Sequence, residues 1–137
     1  MHDLQAYHYL YVEDDPLSRE VMQMIMGTAM GIETLTIFDD SSNFMERLQG
    51  LMVPHVILLD IHMKPHNGFE VLDMIRQDSR YNSTTIIALT ASVMNEEVTQ
   101  LRERGFNGAI AKPLSIQAFP TLLRQILEGQ AVWHIAD

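Results

Sequence analysis

A chain of 137 residues with 47% hydrophobic and 20% charged content has the size and apolar share of one globular domain, which excludes a wholly disordered chain. It contains no cysteine, so disulfides, thiol nucleophiles and zinc fingers are excluded. Nine basic against eighteen acidic residues leave a net charge of −9, a field that repels nucleic-acid phosphates and argues against direct DNA or RNA binding.

The start, Met1-His2-Asp3-Leu4, lacks the basic and apolar segments of a secretory signal, and no apolar run approaches a membrane span. A soluble, cytoplasmic protein is the expectation. Tyr7–Val12 reads as a first strand. Asp15 then offers an N-cap and Pro16 a first helical residue for a helix over Leu17–Met30. Four methionines there, Met22, Met24, Met26 and Met30, are read as helix core in preference to a sticky surface. Thr34–Phe38 is the second strand, followed by a helix capped by Ser41 or Ser42, with Phe44, Met45 and Leu48 as its apolar stripe.

Val56–Asp60 is a third, almost wholly apolar strand, and Gly68 precedes a helix over Phe69–Asp78. Thr85–Leu89 is the fourth strand. Asn95 caps a helix over Glu96–Arg104, and Gly105 stops it. Gly108–Ala111 is the fifth strand, and Ser115 caps a final helix bearing Phe119, Leu122, Leu123, Ile126 and Leu127. Five strands alternating with five helices predict an α/β fold of flavodoxin-like (βα)₅ type: a doubly wound parallel five-stranded sheet of order 2-1-3-4-5. Residues 4–128 are read as the domain and 129–137 as a short C-terminal tail. Trp133 in that tail either packs back on the domain or meets a partner.

Ligands of such sheets bind beyond the carboxyl ends of the strands, where strand order reverses, here between the first and third. Those ends read Val12-Glu13-Asp14-Asp15 and Leu58-Leu59-Asp60. Glu13, Asp14 and Asp60 therefore converge, although two carboxylates ~4 Å apart repel by roughly 4 kcal/mol at a protein-like dielectric. A hard divalent cation, Mg²⁺ or Mn²⁺, suits this all-oxygen set. Thr90 and Lys112 end the fourth and fifth strands and add a hydroxyl and a cation. Three acids, a hydroxyl and a lysine suit phosphoryl transfer, with Asp60 as nucleophile forming an acyl phosphate. The His62 and His66 pair has i, i+4 spacing, but Pro65 and Asn67-Gly68 place it in a loop, which disfavours a transition-metal site.

Four segments resemble the receiver domains of two-component response regulators over Leu4 to Glu128, and a free-standing, chemotaxis-regulator-like receiver in particular. They are Val12-Glu13-Asp14-Asp15-Pro16, Leu58-Leu59-Asp60 with Met63, Asn67 and Gly68 at the family's spacing, Leu89-Thr90-Ala91 and Lys112-Pro113. The resemblance implies that Asp60 is the phosphoacceptor and that Asp14 binds the metal directly, with Glu13 acting through water. It also implies a metal contact from the His62 backbone carbonyl, phosphate-sensing roles for Thr90 and Lys112, and a cis Lys112–Pro113 bond. His62 and Ser92 are expected to flank the pocket and tune water access.

Two positions depart from the family pattern. Lys64 stands where proline is usual, with Pro65 one residue later, so the loop there is expected to take another route. Ala109 replaces the aromatic three residues before the lysine, which removes the ring that usually swings behind the threonine. The readout is then expected from the loop after Thr90 or from dimerisation.

The resulting expectation is a signalling domain that takes a phosphoryl group from a sensor histidine kinase or phosphotransfer protein and signals to a downstream protein target. It catalyses only its own phosphorylation and dephosphorylation. A homodimer, a phosphorylation-independent interaction module, and a receiver cut from a larger regulator or hybrid kinase stay open. An aspartyl phosphatase is disfavoured because His62 stands where that class needs a second acid, and an FMN module because Glu13-Asp14-Asp15 repels a phosphate.

Overall fold

In the computed structural model, residues 3–91 and 95–134 are described. The strands are Tyr9–Val12 (β1), Leu35–Phe38 (β2), Val56–Asp60 (β3), Thr85–Thr90 (β4), Gly108–Ala111 (β5) and Trp133–His134 (β6). The helices are Pro16–Met22 (α1), Phe44–Gln49 (α2), Gly68–Arg76 (α3), Asn95–Arg104 (α4) and Phe119–Leu127 (α5). All strand pairs are parallel, in the order β2-β1-β3-β4-β5-β6. The expected 2-1-3-4-5 order holds, and a sixth, two-residue strand from the C-terminal segment is added at the β5 edge.

Strand side chains alternate between two cores, as the two-residue period requires. Leu10, Val12, Ile57, Leu59, Ile86, Ala88 and Ala109 face α2, α3 and α4. Tyr9, Tyr11, Val56, Leu58, Ile87, Leu89 and Ile110 face α1 and α5. Both faces are covered, which is why the central strands are apolar throughout.

Several helix starts differ in detail from the pattern expected of the sequence. Asp15 caps α1 as expected, its carboxylate accepting from the Ser18 backbone N–H at 2.9 Å. Beyond Met22 the helix widens into π-helical turns over Gln23–Ala29, which keep Met22, Ile25 and Met26 fully buried while Met24 stays 59% exposed. The methionine stretch is thus only partly core. The cap of α2 is Asn43, in the left-handed region at φ 49°, and not Ser41 or Ser42. Both serines are engaged elsewhere: Ser42 donates its N–H and hydroxyl to Asp40, and Ser41 donates its hydroxyl to the His66 carbonyl.

Asn67 opens α3 with a reciprocal capping box to Glu70. α4 begins at Asn95 itself, and the residues just before it lie outside the described ones. Ala118 precedes α5 with no side-chain cap, while the Ser115 hydroxyl accepts the Ala118 N–H one turn earlier.

Gly68 shapes the site's floor. Its N–H donates to the Ile61 carbonyl, bringing α3 against the end of β3. A methyl group there would lie 2.9 Å from the Asp60 carbonyl oxygen and 3.0 Å from the Ile61 Cα. Both are backbone atoms and cannot swing aside, so Gly68→Ala is expected to lower the unfolding free energy by about 1–3 kcal/mol. Urea denaturation followed by circular dichroism checks this, and a neutral result would show that the approach of α3 is not tight.

Candidate functional site

The order β2-β1-β3 makes β1 and β3 neighbours, with Val12 beside Leu59 in register. Glu13 and Asp60, each next along its strand, therefore face one another, and Asp14 follows on the loop. Carboxylate oxygens of Glu13, Asp14 and Asp60 lie within 4.8 Å of one another, the single such cluster of potential metal ligands among the described residues. Glu13 and Asp60 are buried, whereas Asp14 is more open to solvent.

Lys112 follows β5 and reaches back across the sheet. Its ammonium donates to Glu13 Oε1 at 2.8 Å and to Asp60 Oδ1 at 3.4 Å. Thr90, 1% exposed, ends β4 one residue beyond Leu89, the register partner of Asp60, and its carbonyl accepts the Lys112 N–H at 2.9 Å. The five expected side chains thus sit at the ends of β1, β3, β4 and β5, on one edge of the sheet. The His62 backbone N–H faces the Asp60 carboxylate. The His62 side chain is exposed. Ser92 lies outside the described residues.

Three supports were not read from the sequence. Tyr11 donates its hydroxyl to Glu13 Oε1 at 2.8 Å. Two residues apart on one strand place them on the same face, so the alternation itself carried that signal. Burial and then the Glu13 charge raise the Tyr11 pKa well above the ordinary phenol value, which keeps it a donor. Arg19 holds the Glu13 carbonyl at 2.9 Å. The Lys64 backbone N–H donates to Asp14 Oδ2 at 3.1 Å. The rerouted loop around Lys64 has a cis Lys64–Pro65 bond, and the expected cis Lys112–Pro113 bond is also present.

The charges of the cluster are unequal in their surroundings. Burial, then repulsion by Glu13, raises the Asp60 carboxyl from 3.8 to about 6, against the pull of Lys112 and of the His62 N–H. Burial works to lower the Lys112 pKa, but the hydrogen bond to Glu13 and the charges of Asp60 and Glu13 leave it raised. One ammonium is shared by two buried carboxylates with a third beside them, so the site has an excess of negative charge.

The sequence matches the response regulator receiver domain family over residues 9–124. The chain belongs to that family. This receiver is 28% identical over 120 residues to the polar-differentiation response regulator DivK of Brucella anthropi, covering 86% of this chain and 94% of DivK. It is equally similar, at 28% over 120 residues, to the osmosensing histidine protein kinase SLN1 of Saccharomyces cerevisiae, where the match covers 85% of this chain and 10% of that protein. Against the nitrate/nitrite response regulator NarL of Escherichia coli it is 29% identical, over 90% of this chain and 56% of NarL. The chain therefore spans from a tenth to about half of those two larger relatives.

Among solved structures, the chemotaxis response regulator CheY4 of Vibrio cholerae shares the fold with a TM-score of 0.78 at 24% identity, over 88% of this chain and 98% of that one. The carboxylate cluster fits the phosphoacceptor site of a receiver domain, a domain of signalling proteins. Among the described residues, no helix is long and apolar enough to cross a membrane.

The raised Asp60 carboxyl has a consequence for stability. The native state binds its proton more tightly than the unfolded chain, so this contribution is complete below about 3.8 and lost as pH rises through about 6. Asparagine mimics the neutral carboxyl. In EDTA-treated buffer, Asp60→Asn is therefore expected to stabilise the protein by of order 1–3 kcal/mol at about pH 7.5 and by little at about pH 4. Urea titrations at the two pH values check this; equal effects at both would remove the electrostatic explanation.

Proposed function

We propose that Asp60 accepts a phosphoryl group from a histidine kinase or phosphotransfer protein, with Lys112 and Thr90 receiving the transferred oxygens. The observation that carries this reading is the shared ammonium: Lys112 lies 2.8 Å from Glu13 and 3.4 Å from Asp60, beside a carboxylate pair with unbalanced charge. An Asp60 oxygen attacks phosphorus, the bond to the donor's nitrogen or oxygen breaks, and an acyl phosphate results. Lys112 turns from Asp60 toward the new phosphoryl oxygens, and the Thr90 hydroxyl donates to one of them.

The donor set suits a hard cation, being all oxygen and already gathered within 4.8 Å. Glu13, Asp14, Asp60 and the His62 carbonyl would hold Mg²⁺, or Mn²⁺ in its place. When bound, that ion offsets charge on the transferring group and between the carboxylates. Tyr11, Arg19 and the Asp15 N–H, which donates to Glu13 Oε2 at 3.3 Å, keep Glu13 aimed at the cluster. Self-catalysed phosphorylation and dephosphorylation belong to this reading. So does a unit spanning residues 4–128 with 129–137 appended, working in the cytoplasm on a downstream protein target.

Intact mass spectrometry after incubation with Mg²⁺ and acetyl phosphate tests the proposal. One phosphoryl group is expected on the unaltered chain and none on Asp60→Ala or in EDTA. Lys112→Ala is expected to slow uptake by roughly tenfold or more, the scale of losing one positioned charge from a transfer site. No uptake from acetyl phosphate or from a phosphorylated histidine donor would leave a phosphorylation-independent interaction module as the better reading.

A further inference from the structure

The C-terminal segment forms a built contact. After α5, Gly129 turns the chain at φ 87°, and Gln130 donates its N–H to the Gln125 carbonyl at 3.0 Å. The segment then runs beside β5: the Ala109 N–H donates to the Val132 carbonyl at 3.0 Å, and Trp133 pairs with Ala109 in register. Gly108 makes the approach feasible, since a methyl group there would lie 3.1 Å from the Val132 carbonyl oxygen and 2.8 Å from Ile126 Cδ1. Trp133 packs against the core that α2, α3 and α4 cover, and the Arg102 guanidinium of α4 sits over its ring at 5.1 Å. One indole therefore touches both β5 and α4.

β5 is also the strand that carries the site's cation. Lys112 follows it directly, and its residues Gly108, Ala109 and Ala111 have almost no side chain to key them in place. On the inner side β5 is held by four paired residues of β4, and on the outer side by the two of β6. The Lys112 N–H also donates to the Thr90 carbonyl of β4, so the inner pairing runs on to Lys112 itself and the outer pairing with β6 is the shorter of the two.

We propose that Trp133 is the element through which phosphorylation is reported to α4. This rests on the phosphoacceptor reading of Asp60. In the resting state Lys112 is anchored by Glu13 and Asp60. A phosphoryl group on Asp60 draws the ammonium outward, β5 follows, and the β6 pairing loosens. The indole lifts from its place beside Ala109 and releases Arg102, which changes the exposure of α4. With a methyl group at 109, the aromatic ring at this point of the fold comes from the tail and not from β5.

Trp133 is the one tryptophan in the chain, so its emission reports on it without a label. Acetyl phosphate with Mg²⁺ is added to the full chain, with Mg²⁺ alone as control, while intact mass tracks phosphoryl uptake. Uptake is expected to bring a red shift and greater acrylamide quenching, both missing in Asp60→Asn. Phosphoryl uptake with unchanged emission and quenching overturns the inference and leaves the phosphoacceptor reading intact. Absence of uptake both from acetyl phosphate and from a phosphorylated histidine donor overturns both.

A second arm separates relay from packing by hydrogen exchange of the α4 amides in Trp133→Ala and Trp133→Phe. Uptake is expected to alter α4 protection by roughly threefold in the unaltered chain and in Trp133→Phe, with the change lost in Trp133→Ala. The same change in all three would show that the indole only packs.

Discussion

The fold is organised around one ammonium that two buried carboxylates share. Lys112 lies 2.8 Å from Glu13 and 3.4 Å from Asp60, and both acids are almost completely removed from water. Carboxylates held that closely in a poorly polarisable setting repel strongly, and a single cation cannot neutralise both. The imbalance shows in Asp60, whose carboxyl is pushed up to about 6, burial and Glu13 together outweighing Lys112. A site with surplus negative charge has room for a divalent ion and a use for a group that brings its own compensating contacts.

The rest of the chain serves to keep these charges apart in sequence and together in space. Glu13 and Lys112 are 99 residues apart, and only a parallel sheet of this order brings the ends of β1, β3, β4 and β5 to one edge. Each acid is then fixed by the elements that follow its strand. Tyr11, Arg19 and the Asp15 backbone hold Glu13, the Lys64 backbone holds Asp14, and the glycine at 68 lets α3 come within reach of the Asp60 carbonyl. At α2 the expected serine caps are drawn into bonds with Asp40 and His66, leaving Asn43 at the cap, whereas Ser115 caps the turn that leads into α5 through the Ala118 N–H.

The weak side of the design is β5. It leads directly to Lys112 and, Ile110 apart, is built from small residues, and its outer neighbour is a two-residue strand. β5 reaches the two cores through Ala109 and Ile110 alone, whereas β1 and β3 fill both with large side chains. The charged site thus joins two heavily packed strands to a lightly packed one, which is the difference that the proposed relay through Trp133 uses.

The order of the first five strands, their alternation with helices and the meeting of five side chains at the strand ends were legible in the sequence, because they follow from strand and helix patterns. Val56-Ile57-Leu58-Leu59 must be covered on both faces, Asp15-Pro16 starts a helix, and acids at two strand ends must meet if those strands are neighbours. Trp133, by contrast, could not be placed from its neighbours in the chain. Whether a tail pairs with an edge depends on what that edge leaves open, and only the folded chain shows that Gly108 and Ala109 leave space for it. The same holds for the Lys64 N–H on Asp14 and for Arg19 on the Glu13 carbonyl. These contacts join residues whose spacing carries no period, so tertiary packing alone decided them.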